Sequence, residues 1–197
     1  MPIPHLKQGT LDGLCGVYAL LNAIFQRIYH DRSVSYKHQD DHFRTAMSCL
    51  PKMSVLSAVT NGLTCDELMR LTRKFVKHYS FDAGRHRYEI RVDRPYEPNQ
   101  ITNRWQFHDA MRNLYQTERT AAILGMSYRG RSSYRRDQLS KSGHWLALRA
   151  CKPNGFYVVN NSPNDNYISK NNLLRPAGIY MDFDYHETIV LRAVKVS

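Results

Sequence analysis

The spacing of the apolar residues changes halfway along this chain, from a helical pattern to an extended one. The clearest helical run consists of Val17, Leu20, Leu21, Ile24 and Ile28. These positions recur every three or four residues, which puts them on one face of a helix and predicts that residues 15–29 are helical. The second half instead contains short apolar runs separated by turn residues, which predict strands over residues 121–126, 145–150, 156–159, 179–183 and 188–194. Because the helices come first and the strands follow, the sequence predicts an α+β fold with a helical N-terminal part and a C-terminal, mainly antiparallel sheet.

Three further helices and one further strand are predicted before residue 120. Thr64 and Glu67 form a capping-box pattern, with Thr at the N-cap and Glu three residues later, so a helix should run from there to about His78. The other expected elements are helices over residues 40–50 and 105–115 and a strand over residues 88–92.

Length and cysteine content both favour one self-sufficient domain. A chain of 197 residues fits a single domain over residues 1–197 and buries a core without disulfide or metal staples. The four cysteines form no CxxC pair, so all four are interpreted as thiols. No apolar run is long enough to span a bilayer, and the N-terminus lacks the apolar core of a signal peptide. We therefore expect no transmembrane segment and synthesis in the cytoplasm, with any secretion following a route independent of a signal peptide.

The chain is strongly basic, with a formal net charge of +11. This balance favours an acidic partner, such as nucleic acid, an anionic membrane surface or an acidic protein, and an inhibitor protein would belong to the last class. Nucleic acid is disfavoured as the main partner, because no helix-turn-helix, zinc-finger or similar motif is present. Cations are dense in the predicted loop over residues 127–142, which contains Arg129, Arg131, Arg135 and Arg136. This loop is either a substrate-contacting lid or an ordinary solvated loop.

Cys15 stands where a helix should begin after a glycine-containing loop. Unpaired backbone N–H groups and the helix dipole favour the thiolate there, which is the nucleophilic form of cysteine. The side-chain amide of Gln8 and the backbone N–H of Cys15 would together hold the oxyanion of a tetrahedral intermediate. The sequence therefore predicts Cys15 as a nucleophile and Gln8 as part of its oxyanion hole.

His144 begins one predicted strand, and Asn160 ends the next. The two residues are 16 positions apart, as expected for facing positions on adjacent antiparallel strands joined by a hairpin of this length. His144 would act as the base for Cys15, and Asn160 would orient its ring. Asn161 is the fallback for this third role, because neighbouring residues of a strand point to opposite faces.

The order Cys, His, Asn resembles that of the papain-fold cysteine peptidases. His144 lies 129 residues after Cys15 and Asn160 lies 145 residues after it, close to the papain-type spacing. Residues 144–148 (HWLAL) and 158–163 (VVNNSP) are similar to segments of compact bacterial members, including bacteriocin-processing peptidases and papain-fold toxins or effectors. Residues 12–15 (DGLC) are similar to the Asp-Gly-Asn-Cys of ovarian-tumour-type deubiquitinases. The resemblance implies a papain-like fold, a Cys15–His144–Asn160 triad, amide cleavage through a thioester, and no cofactor.

Three functions follow as alternatives. The first is a cysteine protease with a protein or peptide substrate. The second is a toxin or effector that uses the same residues as a deamidase, a peptidoglycan amidase or a hydrolase of a ubiquitin-like tag. The third is a catalytically inactive papain-fold protein that binds an acidic partner through its basic loop. No metal site is predicted, because the chain has no HExxH motif and the pair His38 and His42 has no obvious third ligand.

Overall fold

The computed structural model describes residues 14–29, 35–50, 58–59, 62–83, 85–96, 100–101, 103–128, 144–159, 167–169 and 181–196. Its helices are α1 (Cys15–Ala23), which continues as a π-helical turn (Ile24–Ile28), α2 (Tyr36–Ser48), α3 (Cys65–Lys77) and α4 (Arg104–Leu114). Its strands are β1 (Ser80–Ala83), β2 (His86–Asp93), β3 (Thr120–Tyr128), β4 (His144–Lys152), β5 (Gly155–Val159), β6 (Tyr167–Ser169) and β7 (Met181–Lys195).

Three of the four helices begin at polar residues that cap their first turns. At α3 the Glu67 amide donates to the Thr64 hydroxyl at 3.3 Å, and the Thr64 amide donates to the Glu67 carboxylate at 2.8 Å. This is the reciprocal capping box that the sequence predicts. The Ser35 side chain caps α2, and that of Asn103 caps α4. The four predicted helices are confirmed, with ends that differ from the prediction by a few residues.

Seven strands of the described residues form one antiparallel sheet, in the order β1-β2-β7-β3-β4-β5-β6. The α+β class with an antiparallel sheet is therefore confirmed. The sequence did not predict β1 or β6. Strands β1 and β2 also precede α4 along the chain, so helices and strands are less strictly segregated than expected.

The prediction of two separate strands over residues 179–183 and 188–194 is wrong, because β7 is one strand from Met181 to Lys195. Residues 184–187, which interrupt the apolar pattern, form a bulge against β3. Leu124 pairs with Thr188, whereas Met126 pairs with Phe183, so the single residue Gly125 stands opposite the whole interruption. The polar interruption thus marks a bulge within one strand and not a chain reversal.

Helices cover both faces of the sheet, and alternate residues of β4 serve two separate cores. Trp145 and Ala147 belong to the core shared with α1, α2 and α3, while Leu146 and Leu148 belong to the core shared with α4. Helix α1 thus packs directly on the sheet. No described helix is long and apolar enough to cross a membrane. The prediction of a single domain extends beyond the described residues and stays a prediction.

Candidate active site

Cys15 is the first residue of α1, as the sequence predicts. Leu14 occupies the N-cap position, and its side chain makes no capping hydrogen bond. The Leu14 carbonyl accepts hydrogen bonds from the amides of Val17 and Tyr18, at 2.9 and 3.1 Å. The first turn of α1 contains no acidic residue. No acidic side chain within this turn therefore offsets the positive end of the helix dipole beside the Cys15 thiol.

The first turn of α1 is tightly packed. Cys15 is only 4% exposed and belongs to the core beneath α1. At Gly16, a Cβ atom would lie 3.2 Å from a methyl carbon of Leu68 and 3.3 Å from one of Leu63. The absence of a side chain at Gly16 thus lets α1 approach the loop before α3. The burial of Cys15 also fits the ordinary role of a small core residue.

His144 is the first residue of β4 and is half-buried. Its neighbour Trp145 is buried, and the indole Nε1 donates to the carbonyl oxygen of Leu63 at 2.8 Å. Leu63 is therefore close to Gly16, which follows Cys15 in the chain, and to Trp145, which follows His144. The beginnings of α1 and β4 meet at this residue.

The other end of the helical segment fixes its direction along the sheet. Arg27 Nε donates to the carbonyl of Thr120 at 3.2 Å, and Arg119 Nη1 donates to the carbonyl of Ile28 at 2.8 Å. The helical segment 15–28 is about 20 Å long. Strand β3 covers about the same distance, roughly 20 Å, from Thr120 to Met126. The C-terminal end of the helical segment therefore lies beside the beginning of β3.

Met126 is the residue of β3 that pairs with His144. The hydrogen bond from Trp145 to Leu63, which packs beside Gly16, brings the beginning of α1 to the end of the sheet where His144 lies. Alternation along β4 groups His144 with Leu146 and Leu148, which face α4, whereas Trp145 faces α1. An imidazole that acts on Cys15 therefore has to reach it around the beginning of β4.

Several predicted site residues lie outside the described residues: Gln8, Asn160, Asn161, Arg129, Arg131, Arg135 and Arg136. The described ladder between β4 and β5 ends with Ala147 opposite Val159, one residue before Asn160. The oxyanion-hole, third-residue and basic-loop assignments therefore stay predictions.

The other three cysteines lie in different surroundings. Cys49 and Cys65 are buried, and Cys151 is half-buried. Burial raises the pKa of the Cys49 thiol, an effect that Lys74 partly offsets. Burial also raises the pKa of the Cys151 thiol, to about 12. At neutral pH both of these thiols are protonated and poorly nucleophilic.

The pair His38 and His42 is divided between two environments. The His38 ring is hydrogen-bonded to the Ser35 hydroxyl at 2.8 Å. The His42 ring packs edge-on against Tyr79, with ring centroids 4.7 Å apart, and burial lowers its pKa. Across the part of the chain that the structure describes, no group of three or more His, Cys, Asp or Glu residues could hold a metal ion.

Sequence reasoning missed the two residues that join the beginnings of α1 and β4, Leu63 and Trp145. They are 82 positions apart, and the acceptor is a backbone carbonyl with no sequence signature. The only available signal was Trp145 itself, because a buried indole N–H normally requires an acceptor.

No protein-family model matches this chain, and no curated protein sequence matches it significantly. The papain-fold resemblance therefore rests on the chain's own residues.

Proposed function

We propose that the protein is a cysteine hydrolase that cleaves amide bonds, most simply a cysteine protease, with Cys15 as nucleophile and His144 as base. One observation carries the proposal. Cys15 begins a helix whose N-terminal end lies at the end of the sheet where β4 begins with His144. A thiol at a helix N-terminus and a base on a neighbouring element are what thiol-dependent acyl transfer requires.

The proposed reaction has two steps. The Cys15 thiolate attacks an amide carbonyl, His144 protonates the departing amine, and a thioester remains on Cys15. A water molecule, deprotonated by His144, then attacks the thioester, which releases the carboxylic acid and returns the thiol. In this scheme Gln8 and the Cys15 amide hold the oxyanion, and Asn160 or Asn161 orients the imidazole.

The same chemistry serves side-chain deamidation, cleavage of a peptidoglycan amide and removal of a ubiquitin-like tag. These activities differ from proteolysis in the substrate and not in the roles of Cys15 and His144. A toxin or effector role would belong to any of them.

Alkylation by iodoacetamide across a pH series, with peptide mapping, tests the assignment. We expect Cys15 to react near pH 6, well below the ordinary thiol pKa of about 8.5. Cys49 and Cys151 act as internal controls, because burial raises their pKa values and should delay their reaction to alkaline pH. His144→Gln should shift the Cys15 reaction to higher pH, whereas His186→Gln, which removes a half-buried histidine of β7, should leave it unchanged.

A second candidate function is that of a binding protein in which Cys15 is only a core residue. The 4% exposure of Cys15 favours this alternative. It predicts that Cys15 reacts no earlier than Cys49 and Cys151, and that His144→Gln changes nothing. That outcome would remove the hydrolase proposal.

A further inference from the structure

The outer face of α3 is positively charged over its last two turns. The exposed residues Arg70, Arg73, Lys74 and Lys77 form this face, which we call the α3 cationic face. They extend over about 10 Å of helix, because each residue adds about 1.5 Å. The face therefore presents a row of four cations to solvent.

Three arginines outside α3 have acidic partners. Arg44 pairs with Asp40 at 2.9 Å, Arg94 with Asp66 at 3.3 Å, and Arg192 with Asp93 at 3.1 Å. Among the described residues, no cation of the α3 cationic face makes such an ion pair. Glu67 lies one turn before Arg70, and its carboxylate, which also accepts hydrogen bonds from Thr64 at 2.8 Å, lowers the positive potential there. The uncompensated part of the face is therefore the later one, with Arg73, Lys74 and Lys77.

A small cavity opens at the beginning of this face. Its volume is about 70 Å³, and its lining combines Leu50, Leu63 and Leu71 with the cations Arg70 and Lys74. An apolar floor under a cationic rim suits an aliphatic side chain that ends in a carboxylate. Because Leu63 also contacts the first turn of α1, this cavity adjoins the candidate active site.

A larger cavity, of about 340 Å³, lies at the end of the face, between α3 and β2. Lys77, Arg87 and Tyr79 contribute polar groups to its lining. Tyr79 is 9% exposed, and its buried hydroxyl has no hydrogen-bond partner. This hydroxyl has almost no accessible surface, so the polar groups that a ligand in the cavity can contact are those of other residues, including Lys77 and Arg87.

We propose that the α3 cationic face, with the cavities at its two ends, binds an acidic polypeptide segment. Glu89 lines the larger cavity, where it can accept hydrogen bonds from the amide N–H groups of a polypeptide, which a phosphodiester backbone does not offer. The exposed large apolar residues of the described chain are Trp105, Tyr157 and Val196. None of these is on α3, so the face offers no platform for stacking bases and no anchor for a membrane.

Binding does not require catalysis, so it is measured in a Cys15→Ala background by fluorescence anisotropy of a labelled oligoglutamate peptide. The test variant is Lys74→Gln/Lys77→Gln, which removes one cation from each cavity. The matched control is Arg112→Gln/Lys152→Gln. It removes the same net charge from exposed positions on α4 and β4, and Arg112, like Lys77, lies in the last turn of its helix.

We expect the test variant to bind oligoglutamate about tenfold more weakly and the control about twofold or less. Oligothymidylate of equal charge should bind more weakly than oligoglutamate. Equal losses in the test and control variants would show that only net charge matters and would overturn the proposal. Tighter binding of oligothymidylate would also overturn it, in favour of nucleic acid.

Discussion

The Tyr115 hydroxyl lies between the two neighbouring strands β3 and β4, which makes Tyr115→Phe an informative perturbation. The hydroxyl donates to the Leu148 carbonyl at 2.5 Å and accepts from the Ala122 amide at 3.0 Å. Ala122 and Leu148 are partners in the ladder and are fully buried. Burial raises the pKa of Tyr115, so the hydroxyl stays a neutral donor at any pH at which the protein is studied.

The phenylalanine variant keeps the ring and removes only this bridge. It leaves one backbone N–H and one C=O without their partner, and each such buried group costs about 1–3 kcal/mol. Part of this cost is offset because the hydroxyl itself is no longer desolvated. We therefore expect the free energy of unfolding to fall by about 2–4 kcal/mol.

Urea unfolding measures this loss, and hydrogen exchange at the Ala122 amide locates it. Tyr88→Phe is the control, because it removes a hydroxyl from another partly buried ring, one that stacks on Phe81, and should change stability by less than about 0.5 kcal/mol. If Tyr115→Phe costs no more than the control, and the Ala122 amide stays protected, then β3 and β4 close directly on each other. The Tyr115 hydroxyl would then not bridge the two strands.

Three further perturbations test other features. Gly125→Ala would place a Cβ 2.7 Å from Glu187 Cβ, so the urea midpoint should fall by an amount equivalent to about 1–3 kcal/mol; an unchanged midpoint would contradict the close approach. Trp145→Phe removes the indole donor to Leu63 and should cost about 1–2 kcal/mol in the same assay. The lowered pKa of His42 means that the unfolded chain binds its proton more readily, so stability should decline as pH falls below about 6.5. His42→Gln should make the unfolding temperature less dependent on pH between about pH 7 and pH 5.5. An unaltered dependence would show that other groups cause the decline in stability.

Local signals in the sequence predicted the parts of the fold that depend on neighbouring residues. The capping box at Thr64 and the apolar face that begins at Val17 each lie within a few residues, and both helices formed as expected. Strand β1 has only four residues, which is too few for a periodic pattern to reveal it, and in the described part of the sheet it pairs with β2 alone. The bulge in β7 depends on its partner Gly125, which is distant in sequence.

In the candidate site, too, local features could be predicted from the sequence and contacts between distant residues could not. Cys15 follows from a glycine loop and a helical pattern, and the structure places it first in α1. That Cys15 and His144 lie at one end of the sheet depends on the hydrogen bond from Trp145 to Leu63 and on the contacts of Arg27 and Arg119 at the other end. These contacts join backbone carbonyls to distant side chains, and no spacing rule encodes them.

The position of β7 has a consequence for synthesis of the protein on the ribosome. Strand β7 is the last of the seven in sequence, yet it lies between β2 and β3 and joins the β1–β2 hairpin to the strands β3 to β6. The two groups of strands have no other ladder between them, so a nascent chain that has not yet extruded β7 holds them as unjoined pieces with open edges. Packing between α1 and a complete sheet, and any thiol chemistry that depends on it, is therefore delayed until translation has passed residue 195.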